Sequence, residues 1–467
     1  MQQPAITKSP WRLELGATLK LAWPLAAANL LQMLTYAVDV IFIARLGEAP
    51  LAASALVVAV FGLVLWALSG LTGAVAPLIA EELGARAPAL RPIRRITRMG
   101  LWLAVLTGLA GMAACLALTP LMRLTGQQAE IITLAQSYNS LLIWSMIPML
   151  ANNVLRNFVS ALGRPILATA ITAAGIGVNA AANYAFIFGN WGAPALGLQG
   201  AAMATVLTAL TSLAAYVLAI RLDTRLHRYR VFGFFWRPDW RRLVQTLRIG
   251  APIGLTITAE AGIFGAAAFL MGAIGTAQLA AHTIALQIAA LTFQVPFGIG
   301  QAATIRVGYF YGARDRAGVG RAGWTAIALS SGFMAAAALL ILFFPILMLS
   351  IYIDPAAAQN AAMVAYALTF LKVAAAFQLF DGVQAVAAGA LRGLQDTRIP
   401  MWIAAFSYWV PGIGTALVLG FATPLQGVGV WLGLAAGLAV AAVLLLRRWH
   451  RRDRLELSLP AARLAPA

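Results

Sequence analysis

Charged side chains are scarce in this chain. They make up 10% of its 467 residues, against 61% hydrophobic. A soluble domain carries roughly 25% charged residues, so a water-soluble fold could not cover this sequence with polar surface, and the bilayer has to act as its solvent. Cysteine is nearly absent. Cys115 stands alone in an apolar run, so it forms no internal disulfide and has no metal partner near it in sequence. There are three histidines, and two of them, His227 and His450, fall in polar segments. That argues against the histidine constellation or metal cluster a membrane-embedded enzyme would need. Alternating apolar and polar strand patterns are also missing, which argues against a barrel.

Long uncharged runs are present instead. Residues 51–80, 166–220, 261–305, 322–353 and 399–446 contain no Asp, Glu, Lys or Arg. A spanning helix needs about 20 apolar residues, so the longest runs each hold two spans joined by a short hairpin. Gly and Pro mark the hairpins at 189–200, 272–275 and 420–427. This reading predicts twelve helices, over 17–45, 51–80, 97–119, 131–160, 165–189, 197–220, 244–272, 279–306, 322–345, 358–391, 398–420 and 426–446. The first is too long for a signal-peptide core and reads as a retained helix.

The net charge of +18 invites a nucleic-acid reading, but its distribution argues otherwise. Basic clusters precede the first span and follow the twelfth. They also fill every second loop, as with Arg86, Arg91, Arg94, Arg95 and Arg98, while the intervening loops offer only Arg45 and Arg123. This is the positive-inside pattern, and it predicts cytoplasmic termini. The basic surface suits anionic lipid headgroups better than nucleic acid.

The chain also contains itself twice. A shift of 228 residues carries Pro24 onto Pro252, Gly47 onto Gly275, Gly70 onto Gly298, and Gly84-Ala85-Arg86 onto Gly312-Ala313-Arg314 without a gap. Six helices per half is an even number, so the halves insert in the same orientation, as parallel repeats of secondary transporters do. The expected organisation is an all-α polytopic membrane protein with six-helix lobes at 1–220 and 244–447. A basic, aromatic linker at 221–243 lies along the cytoplasmic leaflet, and a basic tail occupies 448–467. A channel would want a ring of ligands from several subunits, whereas the duplication points to a monomer.

Twelve of the fifteen acidic residues fall in loops, tails or helix ends, leaving Asp39, Glu260 and Asp381 inside apolar spans. An ionisable group there is costly and by default marks a functional site. At 1.5 Å per residue, Asp39 lies roughly 12 Å below the outer end of its helix, and Glu260 and Asp381 lie near mid-membrane. Asn179 and Asn183 share one helical face; with Asn152, Asn153, Asn157 and Tyr36 they are expected around Asp39. Gln384, Thr256, Gln287 and His282 are expected around Glu260 and Asp381, although His282, near the outer end of its helix, reads as packing sooner than as a relay. Two carboxylates in one low-dielectric site do not both ionise easily unless a cation joins them, so this pair can hold H⁺ or Na⁺.

Two stretches, AAHTIALQIAALTFQVPFGIGQAATIRVGYFYGAR over 280–314 and FDGVQAVAAGALRGLQDTRIP over 380–400, together with Pro24 followed by Asp39, resemble the multidrug and toxic compound extrusion (MATE) family in its NorM-like branch. The likeness covers residues 12–447. It implies two six-helix lobes around a V-shaped cavity, in a multi-pass protein of the bacterial inner membrane. It also implies rocker-switch export of cationic or amphipathic drugs against H⁺ or Na⁺, with no cofactor beyond the coupling ion. The family's intramembrane acids match Asp39, Glu260 and Asp381, and its polar pair matches Asn179 and Asn183. Some sodium-coupled members carry a tyrosine one turn before the last aspartate; here that position is Phe377, which offers no oxygen to a hard cation. The alternative is a flippase for lipid-linked precursors, which would line its cavity with basic groups. A major-facilitator transporter would need a Gly-Asp-Arg-Gly-Arg loop that this chain lacks.

Overall fold

The computed structural model describes residues 9–124 and 126–458. Lys8 and residues 459–467 of the expected tail lie outside them. The described residues are helical and contain no strand. Eleven helices are long and apolar enough to cross a membrane: α1 (Pro10–Ala44), α2 (Glu48–Ala85), α3 (Leu90–Leu124), α5 (Pro165–Phe188), α6 (Leu198–Leu222), α7 (Trp240–Ile274), α8 (Thr276–Gly312), α9 (Arg316–Phe343), α10 (Ala358–Gly393), α11 (Arg398–Phe421) and α12 (Gly427–His450). The remaining predicted span, α4, runs over 129–161 but is broken by a tight turn at Ile143–Ser145. Pro148 accounts for the break, because it has no N–H to give and crowds the carbonyl four residues back.

Helix ends differ from the expected ones in one consistent way. α1 begins at Pro10 and α9 at Arg316, each about two turns before its apolar stretch. Hydropathy stops at the first charge, whereas Arg, Lys and Glu are good helix formers and the helix continues through them into the interface. α11 is interrupted at Tyr408–Gly412 by a π-helical turn that contains Pro411. Such turns arise where a proline removes a ladder hydrogen bond, and they re-aim the side chains they carry.

Contacts divide the chain into two compact units whose boundaries depart from the lobes expected at 1–220 and 244–447. One unit is Ala27–Glu82 with Arg86–Thr258. The other takes in the start of α1 up to Ala26, Leu83–Ala85, and the chain from Ala259 onward. Each unit therefore contains the opening segment of the other repeat's first helix. Glycines explain how closely these segments seat. In the first unit a Cβ on Gly70 would lie 2.6 Å from Gly254 Cα, and in the second a Cβ on Gly298 would lie 2.6 Å from the Ala26 nitrogen. These two approaches occupy the same place in the 228-residue repeat, and small residues of this kind let membrane helices close backbone to backbone.

Buried ion pairs hold the helix ends within each unit. Glu14 accepts from Arg306 at 2.8 and 2.6 Å in the second unit, and Glu82 accepts from Arg242 at 2.8 Å in the first. The linker after α6 is anchored to α3. Arg94 Nε, Arg98 Nη1 and Trp102 Nε1, spaced four apart on one face, donate to the carbonyls of Tyr229, Phe234 and Phe235 at 3.0, 2.8 and 2.9 Å. The linker's backbone is thus satisfied inward while Phe234, Trp236 and Trp240 stay exposed.

Candidate functional site

In the first unit, α1 carries Asp39 toward α5. Asn179 Nδ2 and Asn183 Nδ2 donate to the same carboxylate oxygen at 2.9 and 2.7 Å, and Asn183 also donates to Asn179 Oδ1 at 3.1 Å. The four-residue spacing puts both asparagines on one helical face, and both are fully buried. Tyr36 stands close enough to feel the Asp39 charge, and so does Tyr138 of α4. Tyr138 escaped the sequence reading because nothing in its own segment links it to α1. Asn153, expected beside Asp39, turns away from it: its amide donates to Ser69 O at 3.0 Å and Thr72 Oγ1 at 2.8 Å, tying α4 to α2. Asn152 donates to Ala209 O and Asn157 to Asn153 O. These three are helix-packing amides.

In the second unit, Glu260 of α7 and Asp381 of α10 are joined by one side chain. Gln384 Nε2 donates to Glu260 Oε1 at 3.0 Å and to Asp381 Oδ1 at 3.2 Å. A third partner fixes the orientation of that amide, because Tyr408 Oη donates to Gln384 Oε1 at 3.0 Å. Tyr408 opens the π-helical turn of α11, so the backbone irregularity delivers the phenol. Arg392, in the last turn of α10, lies near enough for its charge to act on Glu260. With both acids and the arginine ionised, one negative charge is left over, which one proton or one alkali cation would balance.

Other expected members lie elsewhere. The His282 ring faces Trp431 edge-on at 5.5 Å, and neither ring nitrogen has a hydrogen-bond partner among the described residues. Gln287 is exposed on α8, with no hydrogen bond to either carboxylate among the described residues. Thr256 Oγ1 donates back to Pro252 O at 2.8 Å, the carbonyl next to the proline kink. Phe377 stacks on Trp431 at 5.6 Å, and Phe370 stacks on the same indole at 5.7 Å. The ring that offers no oxygen is therefore a core residue, and the site's phenol comes from Tyr408. Sequence gave no signal for this exchange beyond Pro411, which marks α11 as irregular.

The sequence pattern of the MatE family matches this chain twice, over residues 24–185 and 252–418. The chain belongs to the MatE family. The two matches start at Pro24 and Pro252, the register of the internal repeat. Over 452 residues it is 45% identical to a probable multidrug resistance protein NorM of Mesorhizobium japonicum, covering 95% of each chain. It is 42% identical to the protein of the same description from Brucella suis, covering 96% of each. Its fold is that of the eukaryotic MATE transporter AtDTX14, with a TM-score of 0.83 at 19% identity, covering 96% of this chain and 99% of that one. This MatE chain therefore has the twelve-helix, two-lobe fold of its family.

Proposed function

We propose that this MatE protein is a multidrug efflux antiporter, exporting cationic or amphipathic organic compounds in exchange for H⁺ or Na⁺ by a rocker-switch cycle. Transport, not catalysis, is the activity assigned. The observation that carries the reading is the Glu260–Gln384–Asp381 bridge. Two carboxylates held at one amide make a site that gains most when a monovalent cation arrives, and intramembrane acids of this kind mark ion pathways. The NorM relatives, described as multidrug resistance proteins, support the cargo class. Asp39, with neutral amides around it, is a second titrating group in the same cycle.

The protein acts as a monomer in the bacterial inner membrane, with both ends and the linker cytoplasmic, because basic side chains crowd alternate loops. The linker's exposed rings and arginines meet anionic lipid headgroups there, as amphipathic interfacial segments do. Inverted vesicles test the proposal. A pH gradient or a Na⁺ gradient is imposed separately, and uptake of a fluorescent organic cation is recorded. One of the two gradients is expected to drive accumulation, and no accumulation under either would overturn the reading.

A further inference from the structure

The 228-residue shift that aligns the halves carries Glu260 onto Gln32, Gln384 onto Arg156, and Asp381 onto Asn153. The contact is kept with the shift. Gln384 donates to Glu260 in the second unit, and Arg156 Nη1 donates to Gln32 Oε1 at 3.3 Å in the first. The charge is reversed. Two acids and an amide in one half become two amides and a guanidinium in the other.

Arg156 Nη2 also donates to Asn29 Oδ1, one turn along α1 from Gln32, and Tyr216 of α6 stands beside it. No carboxylate pairs with Arg156 among the described residues. Arg156 is half-buried, and a cation partly withdrawn from water and held by neutral amides alone is poorly compensated. Asn29 adds a second unmet demand: its side chain is 5% exposed, and its Nδ2 is a buried donor with no partner among the described residues. An unmade buried hydrogen bond of this kind is costly. A guanidinium with spare N–H groups thus lies beside an amide with an unsatisfied N–H, and guanidinium geometry matches a carboxylate. Arg156 is five residues from the end of its helix at Ala161, roughly 7.5 Å along the axis.

We propose that Arg156 and Asn29 form an anion subsite of the first unit, which takes the carboxylate of a transported compound. The inference rests on the efflux reading. The probes are a rhodamine bearing a free carboxylate and its methyl ester, which share one cationic ring system. Binding to purified full-length protein in lipid nanodiscs is followed by fluorescence polarisation. In Arg156→Gln the acid is expected to bind about tenfold more weakly, the scale of one charged hydrogen bond, with the ester changed less than about twofold. Arg156→Lys should recover part of the loss for the acid alone. Gln32→Glu, at an exposed position, keeps the arginine but gives it an internal carboxylate, and should weaken the acid as Arg156→Gln does. Equal losses for acid and ester in Arg156→Gln, or no loss in either, would overturn the subsite; equal losses would make Arg156 a clamp between α4 and α1. Wild-type protein that binds neither dye would count against the efflux reading itself, and against the subsite with it.

Discussion

The two halves make polar contacts between corresponding elements and exchange the signs of the charges that make them. The start of each half's first helix is fastened by an ion pair, with the acid on α1 in Glu14–Arg306 and the base on α7 in Arg242–Glu82. The last helix of each half is tied to the turn between its fourth and fifth helices. This is done by Arg164–Asp223 in one half and Asp396–Arg448 in the other, again with roles reversed. Within the spans, Glu260 faces Gln384 where Gln32 faces Arg156. A salt bridge is indifferent to which helix supplies which sign, so backbone geometry fixes where a polar contact must be made and leaves polarity open. At the surface this freedom changes nothing. In the membrane interior it gives one half two acids around an amide and the other two amides around a guanidinium.

The sharpest way to break this comparison is to neutralise the second half's acids. Glu260→Gln and Asp381→Asn remove the charges a coupling ion would balance while keeping the volume and most of the hydrogen bonding to Gln384. Each is expected to abolish gradient-driven efflux, with protein abundance close to wild type. Cells that keep full drug resistance with both substitutions would show that the halves do not differ in this way.

Much of this asymmetry was legible in the sequence. Helix number and the repeat rest on local patterns of hydropathy, Pro and Gly, which survive without knowledge of tertiary contacts. Asp39, Glu260 and Asp381 stood out because charge is so scarce in the spans. The partners were harder to read. The spacing of Asn179 and Asn183 defines one face, but nothing in the spacing of Asn153, Gln287 and His282 says which way their helix faces turn. Tyr408 and Arg392 were invisible for the opposite reason. One depends on a π-helical turn and the other on the reach of a long side chain from a helix end, and neither leaves a periodic trace.

Asp39 sharpens the comparison next. Its partners are the neutral amides of Asn179 and Asn183, so a change in its own ionisation is a full change in the local charge. Asp39→Asn retains an oxygen to accept from both amides and removes the titration. Drug binding to the purified protein is expected to stay within about twofold, since those hydrogen bonds remain, while gradient-driven efflux fails, because an ion shifts an equilibrium only through its differential affinity for the two states. Wild-type efflux at every pH would reduce Asp39 to a packing residue.

The exchange of signs can itself be tested at the helix ends. Glu14 is 4% exposed, and Glu14→Gln would leave Arg306 without its carboxylate, at a cost on the order of 3 kcal/mol. The double substitution Glu14→Arg with Arg306→Glu reproduces the polarity of Arg242–Glu82 and should regain most of the thermal stability in detergent. Recovery should be incomplete, because the Arg306 guanidinium also sits 5.0 Å from the Phe310 ring centre. A double variant no more stable than the single one would mean that polarity at this contact is fixed by its surroundings.

The smallest effect is expected at Asp223, outside the spans, where the side chain of the pairing Arg164 is 41% exposed. Burial pushes the Asp223 carboxyl up. The backbone N–H groups of Leu226 and Arg225 and the charge of Arg164 outweigh it and hold the group below the usual carboxylate range. A depressed acid contributes stability that is present above its unfolded value near 3.9 and is lost as pH falls through the lower folded value. Asp223 caps a turn with hydrogen bonds of 2.8 and 3.1 Å from Arg225 and Leu226, and its partly exposed pair with Arg164 adds about 1 kcal/mol or less. Asp223→Asn can keep the cap and lose the charge. Its melting temperature should fall slightly relative to wild type at neutral pH, and the difference should shrink as pH drops below about 3.9 and vanish only below the lower folded value. Asp396→Asn, whose partner Arg448 reaches it with two hydrogen bonds at 2.5 and 3.1 Å, should fall further at neutral pH, because both side chains of that pair are mostly buried. Equal losses at the two sites would mean that burial does not set what these reversed pairs contribute.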